Sequence, residues 1–565
     1  MIRNLWFTAL LALAGCATPR VAVAPPAPAA PVEVQILAIN DFHGNLEPPK
    51  SPIERVEGDG TRRKEALGGG AYLAATLAQL RAGQANSVTV SAGDLIGASP
   101  FTSANFLDEP TILAMDMLGL EYNAVGNHEF DKGSAELLRM QQGGCAKHTT
   151  REPCQVDSPF PGARFRFLAA NVLKPDGSTL FPATAIKDFG PVQLGIIGMT
   201  LKETATLVTP AGVAGLRFAD EAATANALVP RLKAEGADII LLAIHQGGRS
   251  DGVYNVAGCA GLSGDILPIL DALDPAIAVV VSGHTHEAYA CERPAKDGSR
   301  RLLTSGGRYG YFVSDIRLTV DPASGRWLAA SARNMPVTRT AFLDSQVQAL
   351  VDRYAAAAAP AAARVVGRLS GPAMHSDFDD ETAAANLIAD AQLAYARSPA
   401  KGGAQLAFMN GAGVRTDLVP DAQGQVRYGQ IFEMQPFGNG LVVLELTGAQ
   451  VRRLLEQQFP KDSYAPGERP GLLVPSANFA FDYDLSKPKG QRILDARLDG
   501  KPIDPATRYR VAVNNFIASG GDGYTVLTEG RLIADAGLDL DALEAWLAPG
   551  QKAPALGRTR NLTPR

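Results

Sequence analysis

Five apolar runs in the first 300 residues share one grammar: each breaks off in polar residues able to bind a metal ion. They are VQILAINDFHGN (34–45), SVTVSAGDLI (87–96), EYNAVGNHEFD (121–131), ADIILLAIHQGG (237–248) and AIAVVVSGHTHE (276–287). Rich in Val, Ile and Leu and broken by Gly or Asn, most predict short buried strands. Helical patterns such as GGAYLAATLAQLRAG and EAATANALVPRLKAEG lie between several of them, so the region predicts a sheet covered on both faces by helices. In such a fold the loops leaving the strands' carboxyl ends gather in one crevice, where residues roughly 250 positions apart share a site. Near Thr340 the pattern changes. DSQVQALVDRYAAAAAPAAARVV predicts an Ala-rich connector helix with Pro360 near its end, and from about Val366 strand-like runs return with new motifs, AQLAFMNGAGVR, MQPFGNGLVVLELTG and RYRVAVNNFIASGGDGY. No internal repeat of fixed period is present.

The amino-terminal segment reads differently. MIRNLWFTALLALAGCATPR has Arg3, an apolar run from Leu5 to Ala14 and then small residues, the layout of a secretory signal. It is too short to span a bilayer. Leu13-Ala14-Gly15-Cys16 resembles a lipobox, with Cys16 as the lipid-carrying residue, and the Pro/Ala-rich stretch after it reads as an extended tether. The expected location is exported, periplasmic or anchored at the outer membrane through Cys16 alone. Cys145, Cys154, Cys259 and Cys291 remain, an even number in an oxidising compartment. Two disulfides are expected. Sequence proximity favours Cys145 with Cys154 and Cys259 with Cys291, out of three connectivities.

Composition narrows the partners. A net charge of -5 with 46% hydrophobic residues suits a soluble enzyme and argues against a nucleic-acid polymer as partner. Of seven histidines, five (His43, His128, His245, His284 and His286) sit in the strand-end motifs, accompanied by Asp41, Asp94 and Asn127. Imidazole, carboxylate and amide oxygen without thiolate suit Zn, Mn, Fe or Co rather than Ca or an iron–sulfur centre. About seven candidate ligands fit two ions, since one ion takes three or four. Asp41 and His43, two apart on an extended segment, are expected to project from one side and chelate one ion. His284 and His286 share that spacing and could straddle two ions, with Asp94 as the bridging carboxylate.

NDFHGN, GDL, GNHEFD, HQGG and GHTHE, in this order, closely resemble the calcineurin-like metallophosphoesterases, and more narrowly the secreted 5′-nucleotidase and UDP-sugar hydrolase family. The resemblance implies an α/β fold: an N-terminal four-layered α/β metallophosphoesterase domain joined by a helical linker to a C-terminal α+β nucleotide-binding domain. The implied boundaries are 1–33 for signal and tether, 34–340, 341–365 for the linker and 366–560. It implies two divalent ions (Zn, Mn or Co), with Asp41, His43 and His286 on the first, Asn127, His245 and His284 on the second, and Asp94 between. Asn127 and His128, neighbours on an extended turn, then face different ways. The amide takes the metal, while the imidazole, held by Asp131, turns to the substrate as transition-state stabiliser or general acid.

The later motifs NGAGVR, QPFGN and NNFIASGGDGY resemble the substrate-binding domain of the same family. They imply a base held between Phe437 and Phe516, with Asp522 on the ribose, Arg415 on phosphate, and Asn410 and Asn439 as further binding positions. Ala412 departs from an all-glycine form of the first motif. The implied activity is hydrolysis of 5′-nucleotides to nucleosides and phosphate, extending to UDP-sugars or NAD-type dinucleotides. The alternative is a 2′,3′-cyclic-nucleotide 2′-phosphodiesterase/3′-nucleotidase. A non-catalytic surface binding protein would need a missing ligand, and none is missing. A thiosulfohydrolase would leave the paired Phe motifs unexplained. His148 and His375 have no assigned role.

Overall fold

In the first strand, Val34, Ile36 and Ala38 alternate with Leu37 and Ile39, and both sets are buried, in two different cores. That double burial sets the architecture of the first half of the chain. The computed structural model describes residues 30–50, 52–251, 253–339, 342–376, 381–464 and 470–564. The proposed signal, Cys16 and most of the tether lie outside them. None of the described helices is long and apolar enough to cross a membrane.

The chain runs from β1 (Val32–Ile39) through α1 (Gly70–Arg81) to β2 (Ser87–Ser91), α2 (Glu109–Met117), β3 (Tyr122–Ala124) and β4 (Arg166–Leu168). Next come β5 (Thr184–Asp188), β6 (Gln193–Met199), α3 (Glu221–Ala234), β7 (Ile239–Ile244), α4 (Ile266–Ala272) and β8 (Ile277–Ser282). β9 (Ala288–Pro294), β10 (Arg300–Gly306), β11 (Phe312–Asp321) and β12 (Arg326–Pro336) complete this half. Two six-stranded sheets result, ordered β12-β11-β1-β2-β3-β4 and β9-β10-β8-β7-β6-β5. β1 to β4 are parallel, as are β6, β7, β8 and β10.

All five apolar runs form strands, but the expectation of helices on both faces of one sheet needs correction. Val34, Ile36, Val88 and Val90 of the first sheet pack directly on Ile196, Leu241, Val279 and Val281 of the second. Helices cover only the outer faces: Leu73 and Leu77 of α1 lie over Leu37 and Ile39, and Val229 and Leu232 of α3 lie over Ile240 and Leu242. The order is helix, sheet, sheet, helix, the four layers that the family resemblance implies. Sheet and helix bury an alternate face equally well, so the run of apolar residues does not say which covers it.

α5 (Ser345–Ala362) starts at Asp344, whose side chain accepts from the Gln346 and Val347 amides, and carries Pro360 in its last turn. It buries Val347, Leu350, Val351 and Tyr354 in the core that contains α1, and the Tyr354 hydroxyl donates to Asp157 at 2.7 Å. Beyond it lie α6 (Ala383–Ala396), β13 (Leu406–Asn410), α7 (Tyr428–Met434), β14 (Gly440–Thr447), β15 (Leu473–Pro475), β16 (Arg508–Asn514) and β17 (Arg531–Leu538). Its main sheet is ordered β15-β13-β16-β14-β17. The halves meet where Phe101 lies edge-on to Tyr428 and Phe432 (5.6 and 5.1 Å) and Arg151 caps the Phe432 ring at 5.2 Å. Both expected disulfides, Cys145–Cys154 and Cys259–Cys291, are present, each with a Cα separation of 5.6 Å.

Candidate metal centre and nucleoside pocket

The strand ends deliver their polar residues through strained turns. Asp41, His43, Asp94, His284 and His286 all have left-handed φ, between 46° and 72°. Non-glycine residues in this region cost on the order of 1–3 kcal/mol each and persist only where the surroundings hold them. Here the surroundings are backbone bonds between neighbouring loops: the Asp41, His43 and Gly44 amides donate to Gly93, Asp94 and Leu95 carbonyls at 2.9–3.0 Å. The expectation of an extended Asp41–His43 segment is therefore corrected. A tight turn, not strand alternation, brings the pair to one side. Asn127 and His128 differ from expectation too, since Asn127 is helical (φ -73°, ψ -37°) and caps the short turn His128–Phe130. Glycine is required beside them, because a Cβ on Gly126 would collide with Asp94 Oδ1.

Lone pairs converge at the centre. His43 Nδ1 lies 2.9 Å from the Gly97 carbonyl and His245 Nδ1 2.8 Å from that of Ala92. Both carbonyls accept, so each Nδ1 carries a proton and each Nε2 is the nitrogen left facing inward, where it can give its lone pair to a cation in place of a proton. His43 Nε2 faces His286 Nε2 at 3.1 Å and Asp41 Oδ1 at 3.9 Å, and His286 Nε2 is 3.5 Å from that oxygen. His245 Nε2 faces Asp94 Oδ2 at 2.9 Å and Asn127 Oδ1 at 3.1 Å, and His284 Nδ1 reaches the same amide oxygen at 3.1 Å. Asp94 Oδ2 also lies 3.8 Å from His43 Nε2, between the two groups. Asp41, His43 and His286 form one cluster and Asp94, His245 and His284 another, and in each the ligand atoms lie within 4.8 Å of one another. This donor set fits two divalent cations.

The electrostatics agree. Burial pushes the Asp41 carboxyl up to about 7. Burial alone would depress His245, yet the adjacent Asp94 carboxylate drives it up to about 10. Burial would likewise raise Asp94, but the facing imidazoles, His245 foremost, hold it well below its ordinary value. The His245 proton thus supplies the positive charge that the buried Asp94 carboxylate requires, a place a cation between the ligand atoms can take.

His128 stands apart from these clusters. Its amide donates to Asp94 Oδ1 at 2.9 Å, and its Nδ1 lies 2.9 and 3.1 Å from the Asp131 oxygens. Burial opposes charge on the ring, but Asp131, with Asp94 behind it, raises its pKa. Phe437, from the second half of the chain, stacks on the imidazole at 5.9 Å with 19° between planes, and Arg415 lies over the same Phe437 ring at 6.0 Å. Asn410 Nδ2 donates to Asp522 Oδ2 at 2.7 Å, and Asn514 Nδ2 in turn donates to Asn410 Oδ1 at 2.9 Å. Gly521 is obligatory where it stands, since a Cβ there would enter the Phe516 ring. In the NGAGVR turn, a methyl at Gly413 would meet Met409 and Asn410. Ala412 instead lines the cavity.

One cavity of about 190 Å³ unites the two halves. Asp94, Asn127, His128, Asp131, His284 and His286 line one end, and Asn410, Arg415, Phe437, Asn439, Phe516 and Asp522 the other. Sequence reasoning missed five contributing residues. Leu207, Val208 and Thr209 also line the cavity, from a short segment without periodic pattern. Asn514 orients Asn410. Glu129, buried beside His128, accepts the Asp94, Leu95 and Gly126 amides at 2.7–2.9 Å and so ties the second and third ligand loops together. Its place inside GNHEFD was the available signal.

The chain is similar to known proteins along most of its length. The model of the calcineurin-like phosphoesterases matches residues 34–288, and that of the 5′-nucleotidase C-terminal domain matches 361–529. Endonuclease YhcR of Bacillus subtilis is 29% identical over 497 residues, 87% of this chain. The chain spans 38% of that relative's length. An uncharacterized protein in the pqq-V 5′ region of Acinetobacter calcoaceticus is 49% identical over 173 residues, 30% of this chain and 85% of its own. The crystal structure of a 5′-nucleotidase precursor from Thermus thermophilus superposes with a TM-score of 0.75 at 26% identity, covering 94% of this chain and 99% of that one.

Glu129→Ala strips the acceptor from three buried amides, each costing about 1–3 kcal/mol when left unpaired. Thermal unfolding in the presence of a chelator should show a fall in stability of at least about 3 kcal/mol, with partial recovery in Glu129→Gln. An unchanged melting curve for the alanine variant would exclude the tie between the loops.

Proposed function

The chain belongs to the calcineurin-like phosphoesterases that carry a 5′-nucleotidase C-terminal domain, and we propose that it hydrolyses 5′-nucleotides to nucleosides and phosphate at a two-metal centre outside the cytoplasm. The observation that carries this is the single cavity lined both by the two ligand clusters and by Phe437, Phe516 and Asp522. Asp41, His43 and His286 would hold one ion and Asn127, His245 and His284 the other, with Asp94 bridging. When bound, the ions supply the charge that acidifies an attacking water and neutralises phosphate oxygens.

The chain's own residues do the rest. His128, protonated and held through Nδ1 by Asp131, presents Nε2–H to the oxygen that leaves with the nucleoside. Arg415 binds phosphate, Asp522 accepts from the ribose hydroxyls, with Asn410 setting its orientation, and Phe437 and Phe516 stack on the base. Asn439 lies at the same end of the cavity. Stacking accepts any base at roughly 1–3 kcal/mol each, so several nucleotides are substrates, and UDP-sugars and NAD-type dinucleotides extend the range. The two disulfides support an oxidising compartment. Lipidation at Cys16 would be the membrane attachment.

Phosphate release with Mn or Zn, with and without chelator, should be rapid and chelator-sensitive on AMP and slow on 3′-AMP. Preference for 3′-AMP and 2′,3′-cyclic AMP would replace this assignment with the cyclic phosphodiesterase/3′-nucleotidase. His128→Ala should lower kcat on the order of 10²-fold with metal content retained. Loss of metal in that variant would make His128 a ligand instead. Phe437→Leu should lower kcat on p-nitrophenyl phosphate, which has no nucleobase to stack, on the order of tenfold, because it frees the imidazole that Phe437 packs against. An unchanged kcat on that substrate would confine Phe437 to base binding.

A further inference from the structure

A phosphate monoester makes demands on one side of the metal centre only. Its phosphorus carries one substituted oxygen, which departs toward the nucleoside pocket, and the other three oxygens carry nothing. Yet a second, larger cavity of about 600 Å³ also borders the His284–Thr285–His286 turn and is lined by Thr285, which the nucleoside cavity does not touch. It shares His284, His286, Ala412 and Arg415 with the nucleoside cavity, whereas His128, Phe437 and Phe516 line only the first. The two spaces therefore meet at the ligand residues and diverge from there.

The walls of the second cavity have their own chemistry. Tyr309, in a left-handed conformation (φ 55°), packs against the His43 and His286 rings at 6.0 and 5.9 Å. Arg308 lies over the Tyr309 ring at 4.7 Å. Tyr254 and Tyr311 continue the aromatic wall, and Arg249 stands beside His284. Glu54 and Glu287 also line the space, so three arginines, with Arg415, face two carboxylates. That balance suits a hydroxylated, aromatic group with little charge of its own better than a second phosphate.

We propose that this cavity receives the second ester substituent of a nucleoside 5′-phosphodiester, so that dinucleoside monophosphates are cleaved as well as 5′-nucleotides. The assignment rests on the 5′-nucleotidase reading of the first cavity. The nucleoside joined through O5′ occupies the Phe437–Phe516 pocket, and the nucleoside joined through O3′ occupies the tyrosine-lined space. Water forms the new P–O bond and the P–O5′ bond breaks. O5′ departs with the proton of His128, which regains one from the attacking water, and the phosphoryl group stays on O3′. One water is consumed, and the products are a nucleoside and a nucleoside 3′-monophosphate.

The full chain, loaded with Mn, is incubated with thymidylyl-(3′→5′)-thymidine and, separately, with thymidine 5′-monophosphate. Early time points should contain thymidine and thymidine 3′-monophosphate in equal amounts. Arg249→Glu and Tyr254→Ala should each reduce kcat/KM on the dinucleoside by about tenfold, the low end of what a stacked base contributes, while turnover of the 5′-monophosphate stays within about twofold. By calorimetry, thymidine 3′-monophosphate should bind the same variants about tenfold more weakly. Hydrolysis of the monophosphate without cleavage of the dinucleoside, release of thymidine 5′-monophosphate in place of the 3′ isomer, or equal losses on both substrates would each overturn the subsite alone. Inactivity on both would overturn the 5′-nucleotidase reading and the subsite with it.

Discussion

Buried negative charge is the constraint on which this molecule is built. Asp41 and Asp94 are 0% and 1% exposed, and a carboxylate taken out of water is tolerated only against positive charge or several hydrogen-bond donors. Some relief comes from within: Asn40 Nδ2 donates to Asp41 at 2.6 Å, as does the His284 amide at 3.0–3.1 Å, and the His128 amide donates to Asp94. The side chains facing the two acids, however, present imidazole nitrogens and an amide oxygen with their lone pairs inward. Such a cluster gains stability from cations and loses it without them, so metal affinity and local folding free energy are one quantity here.

The scaffold has to hold that repulsive arrangement, and two parallel cores do so. β1, β2, β3, β7 and β8 are buried, and they end together at one edge of two stacked sheets. The left-handed turns that follow spend part of the stability of those sheets on aiming five side chains at a common point. Hydrogen bonds between consecutive loops, with Glu129 bonded to two of them, make the aim collective. Distortion of any one loop is then felt by ligands from its neighbour.

Much of this was legible in the chain. The five strands could be read because Val- and Ile-rich runs that stop at Gly, Asn or Asp have few other uses, and the convergence of His43, His128, His245, His284 and His286 followed from strand ends sharing an edge. Sheet stacking was legible only through the family resemblance and not in the apolar pattern, because Val34 and Leu37 are equally apolar and only the fold reveals that a sheet covers one and a helix the other. The turn at Asp41–His43 was hidden for a related reason: i, i+2 spacing on an extended chain predicts the same convergence that left-handed turns achieve. Leu207 to Thr209 gave no signal, because their role depends on where a short segment lands and not on its pattern. Both cysteine pairings suggested by proximity are the ones formed.

The contact between halves carries the last step. Phe437 belongs to the second half, yet its ring stacks on the His128 imidazole of the first, and Arg415 reaches over the same ring. A base stacking on Phe437 would therefore press on the ring that packs against His128, so recognition and chemistry would share a side chain. Arrangements of this kind make a catalytic group most ordered when the correct ligand is bound, which converts binding energy at a remote part of the substrate into alignment at the reacting bond. The apolar contact of Phe101 with Tyr428 and Phe432 holds the two halves close enough for that transfer. On the proposed reading, a metal centre able to attack any phosphate ester would thereby acquire a preference for one with a flat ring at the right distance, and the selectivity would lie in the junction rather than in the ligands.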